Sequence, residues 1–86
     1  MIENLNRSLS DYFKLERFKN KVSQEEMAEK LGISRNTYIS WENNPIQLSI
    51  GTLNNISDKL GSDIIIFFKE YVAKSNNKNQ EQEKEE

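Results

Sequence analysis

The chain has 86 residues, of which 35% are apolar and 30% charged, a composition typical of one small soluble domain, and its formal net charge is −2. It contains neither cysteine nor histidine, so disulfides and zinc–thiolate sites are excluded, and the commonest acid–base group and metal ligand is missing. No apolar run approaches the roughly 18 residues that span a bilayer, and the N-terminus shows no basic-then-apolar secretion signal. We therefore expect a cytoplasmic protein that is neither an enzyme nor membrane-bound. We also expect no catalytic residue, metal or cofactor.

Apolar residues at helical spacing predict five helices joined by short connections. The first helix covers about Ile2 to Lys19, and its buried stripe consists of Leu5, Leu9, Tyr12 and Phe13. The second helix follows Ser23, which forms a capping box with Glu26, and it ends at Gly32, a residue that accepts the left-handed conformation of a helix end. Its buried face consists of Met27, Ala28 and Leu31.

Serines also precede the other three helices, where their side chains can cap the first turn. Ser34 precedes a third helix from Arg35 to about Asn43, with Tyr38 and Trp41 as its inner apolar pair. Ser49 precedes a fourth helix, which Gly61 ends and whose apolar residues are Ile50, Leu53, Ile56 and Leu60. Ser62 precedes a fifth helix with an apolar stripe of Ile64, Phe67, Phe68 and Tyr71. The predicted fold class is all-α, a compact five-helix bundle.

The last stretch of the chain differs in composition from the rest. Residues 1–74 contain ten Lys or Arg and ten Asp or Glu, whereas residues 75–86 contain two Lys, four Glu and no apolar residue. Ordering such a segment would bury almost nothing against its entropy cost, so we expect a disordered acidic tail over 75–86. The remaining domain, residues 1–74, is small for a single core, which favours help from a partner chain.

Two short helices joined by Leu31–Ser34 are the informative feature of the sequence. A helix-turn-helix needs a small residue near its turn, apolar inner faces, and small polar or basic residues on the outer face of its second helix. Here that outer face carries Arg35, Asn36, Ser40 and, on its flank, Thr37. Arginine for guanine and asparagine for adenine are favoured pairings in the major groove of DNA, so the pattern indicates DNA binding. The helix pair alone is less specific evidence, because helical hairpins are common.

The stretch Ser23–Asn43, SQEEMAEKLGISRNTYISWEN, resembles the helix-turn-helix signature of the phage repressor and Cro (XRE-type) family, and the similarity extends from about Leu9 to Phe68. The resemblance implies a lambda-repressor-like domain, usually a homodimer, that binds an inverted-repeat operator and regulates transcription. We therefore expect a sequence-specific DNA-binding regulator of bacterial or phage origin, a repressor associated with the nucleoid. Its expected partners are double-stranded DNA and a second copy, with no small-molecule ligand.

The family's residue roles carry over only where residues match. The resemblance places base contacts at Arg35, Asn36 and Ser40. It places phosphate or flanking contacts at Ser23, Gln24, Ser34, Thr37 and Asn43. Arg17 resembles a first-helix arginine that often pairs with a later glutamate, here Glu42, and we favour that structural pair over a DNA contact.

The loop after the third helix departs from the family, which usually has glycine at position 44 and proline just before Ser49. This chain has Asn44, Pro45 and Leu48 instead. A residue before proline is pushed towards extended conformations, so the path of the 43–48 loop stays open. Ile39 stands where the family is often polar; contact with a thymine methyl and packing beneath the loop are equally favoured.

The apolar run at the start of the fifth helix bears on assembly. When Ile64, Phe67 and Phe68 face the core, Ile65 and Ile66 point elsewhere and form an exposed apolar patch. We therefore expect a symmetric homodimer with an interface of Ile65, Ile66, Phe68, Tyr71 and Val72. A strand over 64–72 that pairs across the dimer is the rival geometry, because isoleucine, phenylalanine, tyrosine and valine favour strands.

The neutral charge of residues 1–74 is the main objection to DNA binding, because nucleic-acid-binding domains commonly show a basic footprint. A local basic rim answers part of the objection, since Lys14, Arg17, Lys19 and Lys21 lie close together in the sequence. Arg7 adds a further positive charge to this rim. The alternative function is a protein-interaction module on the same fold, such as an antitoxin or anti-repressor that acts on a protein partner.

Overall fold

The computed structural model describes the backbone of residues 2–85 and the side chains of residues 5–74. Its helices are α1 (Ile2–Lys19), α2 (Gln24–Leu31), α3 (Arg35–Asn43), α4 (Ile50–Lys59) and α5 (Ile64–Glu85). A short 3-10 turn, Pro45–Gln47, lies between α3 and α4, and the described backbone contains no strand. The all-α fold with five helices is therefore confirmed.

Serine side chains cap three of the helices as the sequence predicts. The hydroxyl oxygens of Ser23, Ser34 and Ser49 each accept the backbone N–H three residues later, an amide that has no partner within its own helix. At α2 the carboxylate of Glu26 completes the capping box by accepting the backbone N–H of Ser23 at 3.2 Å. Gly32 ends α2 in the left-handed conformation, with φ 69°. Local sequence signals thus set both ends of α2 and the starts of α3 and α4.

The start of α5 differs from the prediction that Ser62 caps it. The helix begins at Ile64, so the capping position falls on Asp63, whose Oδ1 accepts the N–H of Ile65 at 3.0 Å. The hydroxyl of Ser62 donates instead to the carboxylate of Glu16 on α1. The rival strand over 64–72 is wrong: the segment is helical, and helical spacing allows Ile64, Phe67 and Phe68 to pack on the core together.

The core lies where α1 and the start of α5 pack against α2, α3 and α4. Its buried apolar residues are Leu9, Phe13, Met27, Ala28, Tyr38, Leu53, Ile56, Leu60 and Ile64. Each predicted stripe supplies at least one of them, and Trp41 is partly buried against the cluster. Ile50 is an exception to the predicted α4 stripe: it is 62% exposed, because it is the first helical residue and lies at the edge of the fold.

The side chains of residues 75–86, the predicted disordered tail, lie outside the described ones. The disordered tail and the domain boundary at residue 74 both stay predictions. The backbone of α5 runs to Glu85. Within the described chain, none of the helices combines the length and apolar character required to cross a membrane.

Candidate nucleic-acid interface

The turn between α2 and α3 is fixed by backbone hydrogen bonds. The N–H of Gly32 bonds to the carbonyl of Glu29 at 3.1 Å, and the N–H of Ile33 bonds to the carbonyl of Ala28 at 3.0 Å. Ile33 is half-buried and packs against the core, which holds the chain as it enters the next helix. Because Ser34 then caps α3 directly, the two helices form a tight helix-turn-helix with little freedom between them.

The outer face of α3 is polar and exposed. Asn36, Ser40 and Asn43 recur at i, i+4 and i+7, which places them on one side of the helix, and Arg35 is exposed in the first turn. Within residues 5–74, none of these four side chains takes part in a described hydrogen bond or ion pair. Their donors and acceptors are therefore available to an external partner, as the prediction of base-contacting residues at 35, 36 and 40 requires.

Four of the five predicted flanking residues, all except Asn43, are already bonded within the protein. Ser34 accepts the N–H of Thr37 at 3.1 Å and donates its own proton to Thr37 Oγ1 at 2.8 Å. The hydroxyl proton of Thr37 therefore remains available to an outside acceptor. The hydroxyl of Ser23 caps α2, and the side-chain amide of Gln24 donates to Glu42 at 3.1 Å. The structure thus gives Gln24 a contact that supports α3, a role the family resemblance implies beside the phosphate contact, which stays a prediction.

Glu42 is the buried charge on the inner face of α3, with 1% of its surface exposed. Its carboxylate accepts two hydrogen bonds from Arg17, from Nε at 2.9 Å and from Nη2 at 3.1 Å, so the predicted Arg17–Glu42 pair is confirmed. The hydroxyl of Tyr38 donates to Glu42 Oε2 at 2.6 Å, beside the bond from Gln24. The i, i+4 spacing of Tyr38 and Glu42 is the signal that could have found this contact.

The electrostatics of this cluster follow from its burial and its hydrogen bonds. Burial alone raises the pKa of Glu42, but the hydrogen bonds from Arg17, Tyr38 and Gln24 outweigh burial and hold this pKa below the ordinary value of 4.5. The bond to Glu42 raises the pKa of Arg17. Burial, and then the hydrogen bond to Glu42, raise the pKa of Tyr38. The carboxylate therefore stays ionised and the phenol stays protonated at neutral pH.

The 43–48 loop, left open by the sequence, is anchored to α1. Asn44 has φ −138° and ψ 61°, outside the left-handed region, as expected for a residue before proline. Pro45 is buried, and the N–H of Ile46 bonds to Asn6 Oδ1 at 3.0 Å. Gln47 Nε2 bonds to the carbonyl of Ser40 at 3.4 Å, which ties the loop to the end of α3. Sequence reasoning missed both anchors, because neither polar residue belongs to a local motif.

The predicted basic rim is exposed on α1 and on the turn that follows it, except for Arg17, which is half-buried and paired with Glu42. Arg7, Lys14, Lys19 and Lys21 all reach solvent. Lys19 forms an ion pair with Glu16 at 3.1 Å, whereas no ion pair is described for Lys14 or Lys21 among residues 5–74. Lys21 has φ 56°, a left-handed conformation that is uncommon for a residue with a side chain. The structure also contains no group of acidic side chains among its described residues that could hold a metal ion.

The five predicted dimer residues do not share one face of α5. Ile65 and Val72 are 51% and 53% exposed and form a stripe with half-buried Phe68, at i, i+3 and i+7. Ile66 is 54% exposed but lies on another side of the helix, where it lines a groove with α1. The ring of Tyr71 stacks on Phe67 with 6.1 Å between centroids.

Comparison with known families agrees with this geometry. A helix-turn-helix family model matches residues 13–67, well over half of the chain, and the match includes α2, the turn and α3. No curated protein and no solved structure matches the chain. The matched region contains both the exposed polar face of α3 and the Glu42 cluster that holds α3 in place. The chain belongs to the helix-turn-helix family of the phage repressor and Cro (XRE) type, a family of DNA-binding transcription regulators.

Proposed function

We propose that this chain is a transcriptional repressor that binds an inverted-repeat operator as a homodimer. The observation that carries the proposal is the outer face of α3, where the side chains of Arg35, Asn36 and Ser40 are exposed and take part in no described hydrogen bond or ion pair within residues 5–74. A helix of this size fits the major groove of B-form DNA, where each base pair presents a distinct pattern of donors and acceptors.

Each proposed base contact follows from the chemistry of its side chain. Arg35 offers a guanidinium that can donate two hydrogen bonds to the O6 and N7 atoms of guanine. Asn36 offers an amide that can bond adenine at N6 and N7, and Ser40 can contact any base edge. Arg35 is the only cation in α3. We therefore expect base readout to depend mainly on hydrogen bonds and to depend weakly on salt.

The flanking contacts complete the proposed footprint on the phosphates. The residues in this role are Ser23, Gln24, Ser34, Thr37 and Asn43. The free hydroxyl proton of Thr37 and the amide of Asn43 are the donors best suited to phosphate oxygens, because neither is used in a described internal bond. Such contacts set the position of α3 on the duplex without reading the sequence.

The homodimer is proposed to form through the apolar stripe of α5, Ile65, Phe68 and Val72, with Tyr71 at its edge. A stripe at this spacing lets two copies of the helix pack across a two-fold axis, each residue meeting the same surface of the partner. Two α3 helices in such a dimer would lie about 34 Å apart, one turn of the duplex, and would therefore read an inverted repeat.

The decisive experiment measures DNA binding after removal of the proposed base contacts. An operator is first selected from random duplexes with the wild-type protein, and affinity is then measured by fluorescence anisotropy. We expect Arg35→Ala and Asn36→Ala each to weaken operator binding by about 1–3 kcal/mol. Lys59→Ala and Asn55→Ala, exposed residues on α4, are the controls matched for charge and for amide, and they should bind as wild type does.

Other outcomes would contradict the proposal in different ways. If both α3 variants bind as the wild type does, the base contacts are elsewhere; if the wild type enriches no repeat and shifts no DNA at low salt, the protein-interaction function is favoured.

A promoter that overlaps the selected operator should give less transcript when the protein is added. More transcript would show an activator. Sedimentation of Ile65→Asp beside the wild type at low protein concentration tests the homodimer, and an unchanged mass there would discard the α5 stripe as its interface.

A further inference from the structure

A groove separates the C-terminal half of α1 from the first turns of α5. It has a volume of about 560 Å³, and its lining includes the half-buried rings of Tyr12 and Phe67, whose centroids lie 4.9 Å apart. Leu15 and Ile66 also line it, and each is 54% exposed. Large apolar side chains gathered at an open groove favour burial by another surface, because water solvates them poorly.

Phe18 lies beside this groove without lining it. Its side chain is 79% exposed, the highest value among the large apolar residues that the structure describes. It lies one turn after Leu15 on α1, so the exposed ring and the groove are adjacent parts of one surface. The surface therefore offers both an apolar projection and an apolar recess.

The charges beside the two features are complementary. Lys14 lies one turn before Phe18 on the exposed side of α1, and Glu70 lies one turn after Ile66 on the groove. Within residues 5–74, no ion pair is described for Lys14 or Glu70, whereas Lys19 at the same groove is already paired with Glu16. A partner fits this groove when it places an apolar group in the recess and a cation beside Glu70. The side of α1 that carries Phe18 and Lys14 offers both groups.

We propose that the groove binds Phe18 of a second copy of this chain. Because Phe18 and the groove are neighbours, two copies related by a two-fold axis exchange the contact: each Phe18 enters the other copy's groove, and each Lys14 pairs with the other copy's Glu70. We call this surface the groove interface; it consists of Lys14, Leu15, Phe18, Ile66 and Glu70.

The groove interface is separate from the α5 stripe and from α3. Ile66 and Glu70 lie on one side of α5, and Ile65 and Val72 lie on another, so pairing through the stripe leaves the groove open. α3 packs on α1, α2 and the 3-10 turn and contributes no residue to the groove. We assign the groove interface to the contact between neighbouring DNA-bound dimers, and this assignment rests on the proposed function. Tethering to one duplex raises the effective concentration of each dimer near its neighbour.

Sedimentation equilibrium of a stripe variant isolates the groove interface. Ile65→Asp should still form a reversible dimer at high protein concentration, and adding Phe18→Ser should weaken that dimer by about tenfold or more. Adding Ile50→Ser instead, at another exposed isoleucine, should leave the dimer unchanged. Circular dichroism checks that each variant stays folded. An Ile65→Asp protein that is monomeric at every concentration, or a dimer that Phe18→Ser does not weaken, would overturn the proposal.

Exchange of the two charges tests the geometry further. Lys14→Glu and Glu70→Lys should each weaken the groove dimer by placing like charges together, and the double variant should restore most of the lost affinity. A double variant as weak as the single ones would contradict the Lys14–Glu70 pairing and with it the reciprocal arrangement. These readouts are independent of the operator experiment. Failure of DNA binding appears in the Arg35 and Asn36 variants, whereas failure of the groove leaves affinity for a single operator unchanged.

Cooperative binding provides the functional readout. On a duplex with two adjacent operators, the wild type should fill both sites with cooperativity that Phe18→Ser removes, while affinity for a single operator stays unchanged. Independent filling of the two sites by the wild type would overturn the assignment to neighbouring dimers.

Discussion

Arg17 of α1 and Glu42 of α3 form a two-pronged ion pair, with Nε–Oε2 2.9 Å and Nη2–Oε1 3.1 Å. The same guanidinium bonds through Nη1 to the carbonyl of Val22 at 3.2 Å, just before α2. Since Gln24 of α2 also donates to Glu42, three helices meet at one buried carboxylate. The orientation of α3, and with it the direction in which Asn36 faces, therefore depends on this cluster.

Removal of Arg17 should be strongly destabilising. Arg17→Ala leaves the carboxylate of Glu42 buried without its cation, and breaking such a pair typically costs about 3–5 kcal/mol of the free energy of unfolding. Partial exposure of Arg17, 20% of its side chain, favours the lower end of that range. Urea denaturation gives the measurement. Lys19→Ala, which breaks the exposed pair with Glu16, is the control and should cost no more than about 1 kcal/mol.

Tyr38→Phe tests the third donor to Glu42. The substitution keeps the buried ring and removes only the hydroxyl that bonds Glu42 Oε2 at 2.6 Å. Loss of a hydrogen bond to a charged group should lower the free energy of unfolding by about 1.5–3 kcal/mol. Tyr12→Phe removes a neutral bond to Ser57 at 3.1 Å and should cost less, about 0.5–1.5 kcal/mol. Equal losses in the two variants would show that the charge of Glu42 adds nothing to the bond.

Acid should destabilise the fold through Glu42. Hydrogen bonds from Arg17, Tyr38 and Gln24 overcome burial and place the folded-state pKa of Glu42 below 4.5. Below pH 4.5 the unfolded chain therefore binds a proton that the folded chain does not, and the free energy of unfolding falls with pH until the folded group also titrates. The bond from Ser62 lowers the pKa of Glu16 and adds to this dependence in the same direction.

A pH series of urea denaturation curves checks the assignment. The wild type should keep its stability above the ordinary glutamate pKa and lose it progressively below, whereas Glu42→Gln should be less stable at neutral pH but lose less on acidification. If the variant and the wild type lose stability in parallel, the acid sensitivity comes from other carboxylates.

The helices and most of their limits were predictable because their signals are local. A serine followed by a glutamate three residues later, as at Ser23 and Glu26, predicts a helix start from neighbours alone. The outer face of α3 was predictable for the same reason, since spacing along one helix determines which residues share a side. Resemblance to a family added the Arg17–Glu42 pair, which no local pattern indicates.

The rest of the site depends on how the helices meet, which periodicity does not specify. Ser62 carries the correct residue type for a cap, but its position beside Glu16 of α1 gives it a different partner. The apolar residues of α5 were predicted as one interface, yet the position of α1 places Ile66 at a groove and leaves Ile65 on a different side. Such outcomes require the relative placement of elements that are distant in sequence.

Lys21 is the clearest case of a residue that local preference would not choose. It follows α1 with φ 56°, and its own N–H and that of Val22 close the helix end on Phe18 and Arg17 at 3.1 and 3.0 Å. Glycine is the usual residue at this position of a helix end, because a side chain in the left-handed region is strained. Lys21→Gly should therefore raise the free energy of unfolding by about 1 kcal/mol.

The matched control for this prediction is Gly32→Ala at the end of α2. Gly32 has φ 69° and no atom within 4 Å of the position that a Cβ would occupy. The Gly32→Ala variant should therefore lose about 1–2 kcal/mol of the free energy of unfolding, and this loss reports backbone strain alone. If Lys21 also contacts a phosphate as part of the basic rim, Lys21→Gly should weaken operator binding while it stabilises the fold, and Lys21→Arg should preserve binding. If Lys21→Gly raises both the free energy of unfolding and the affinity for the operator, Lys21 makes no phosphate contact and does not belong to the DNA-binding surface.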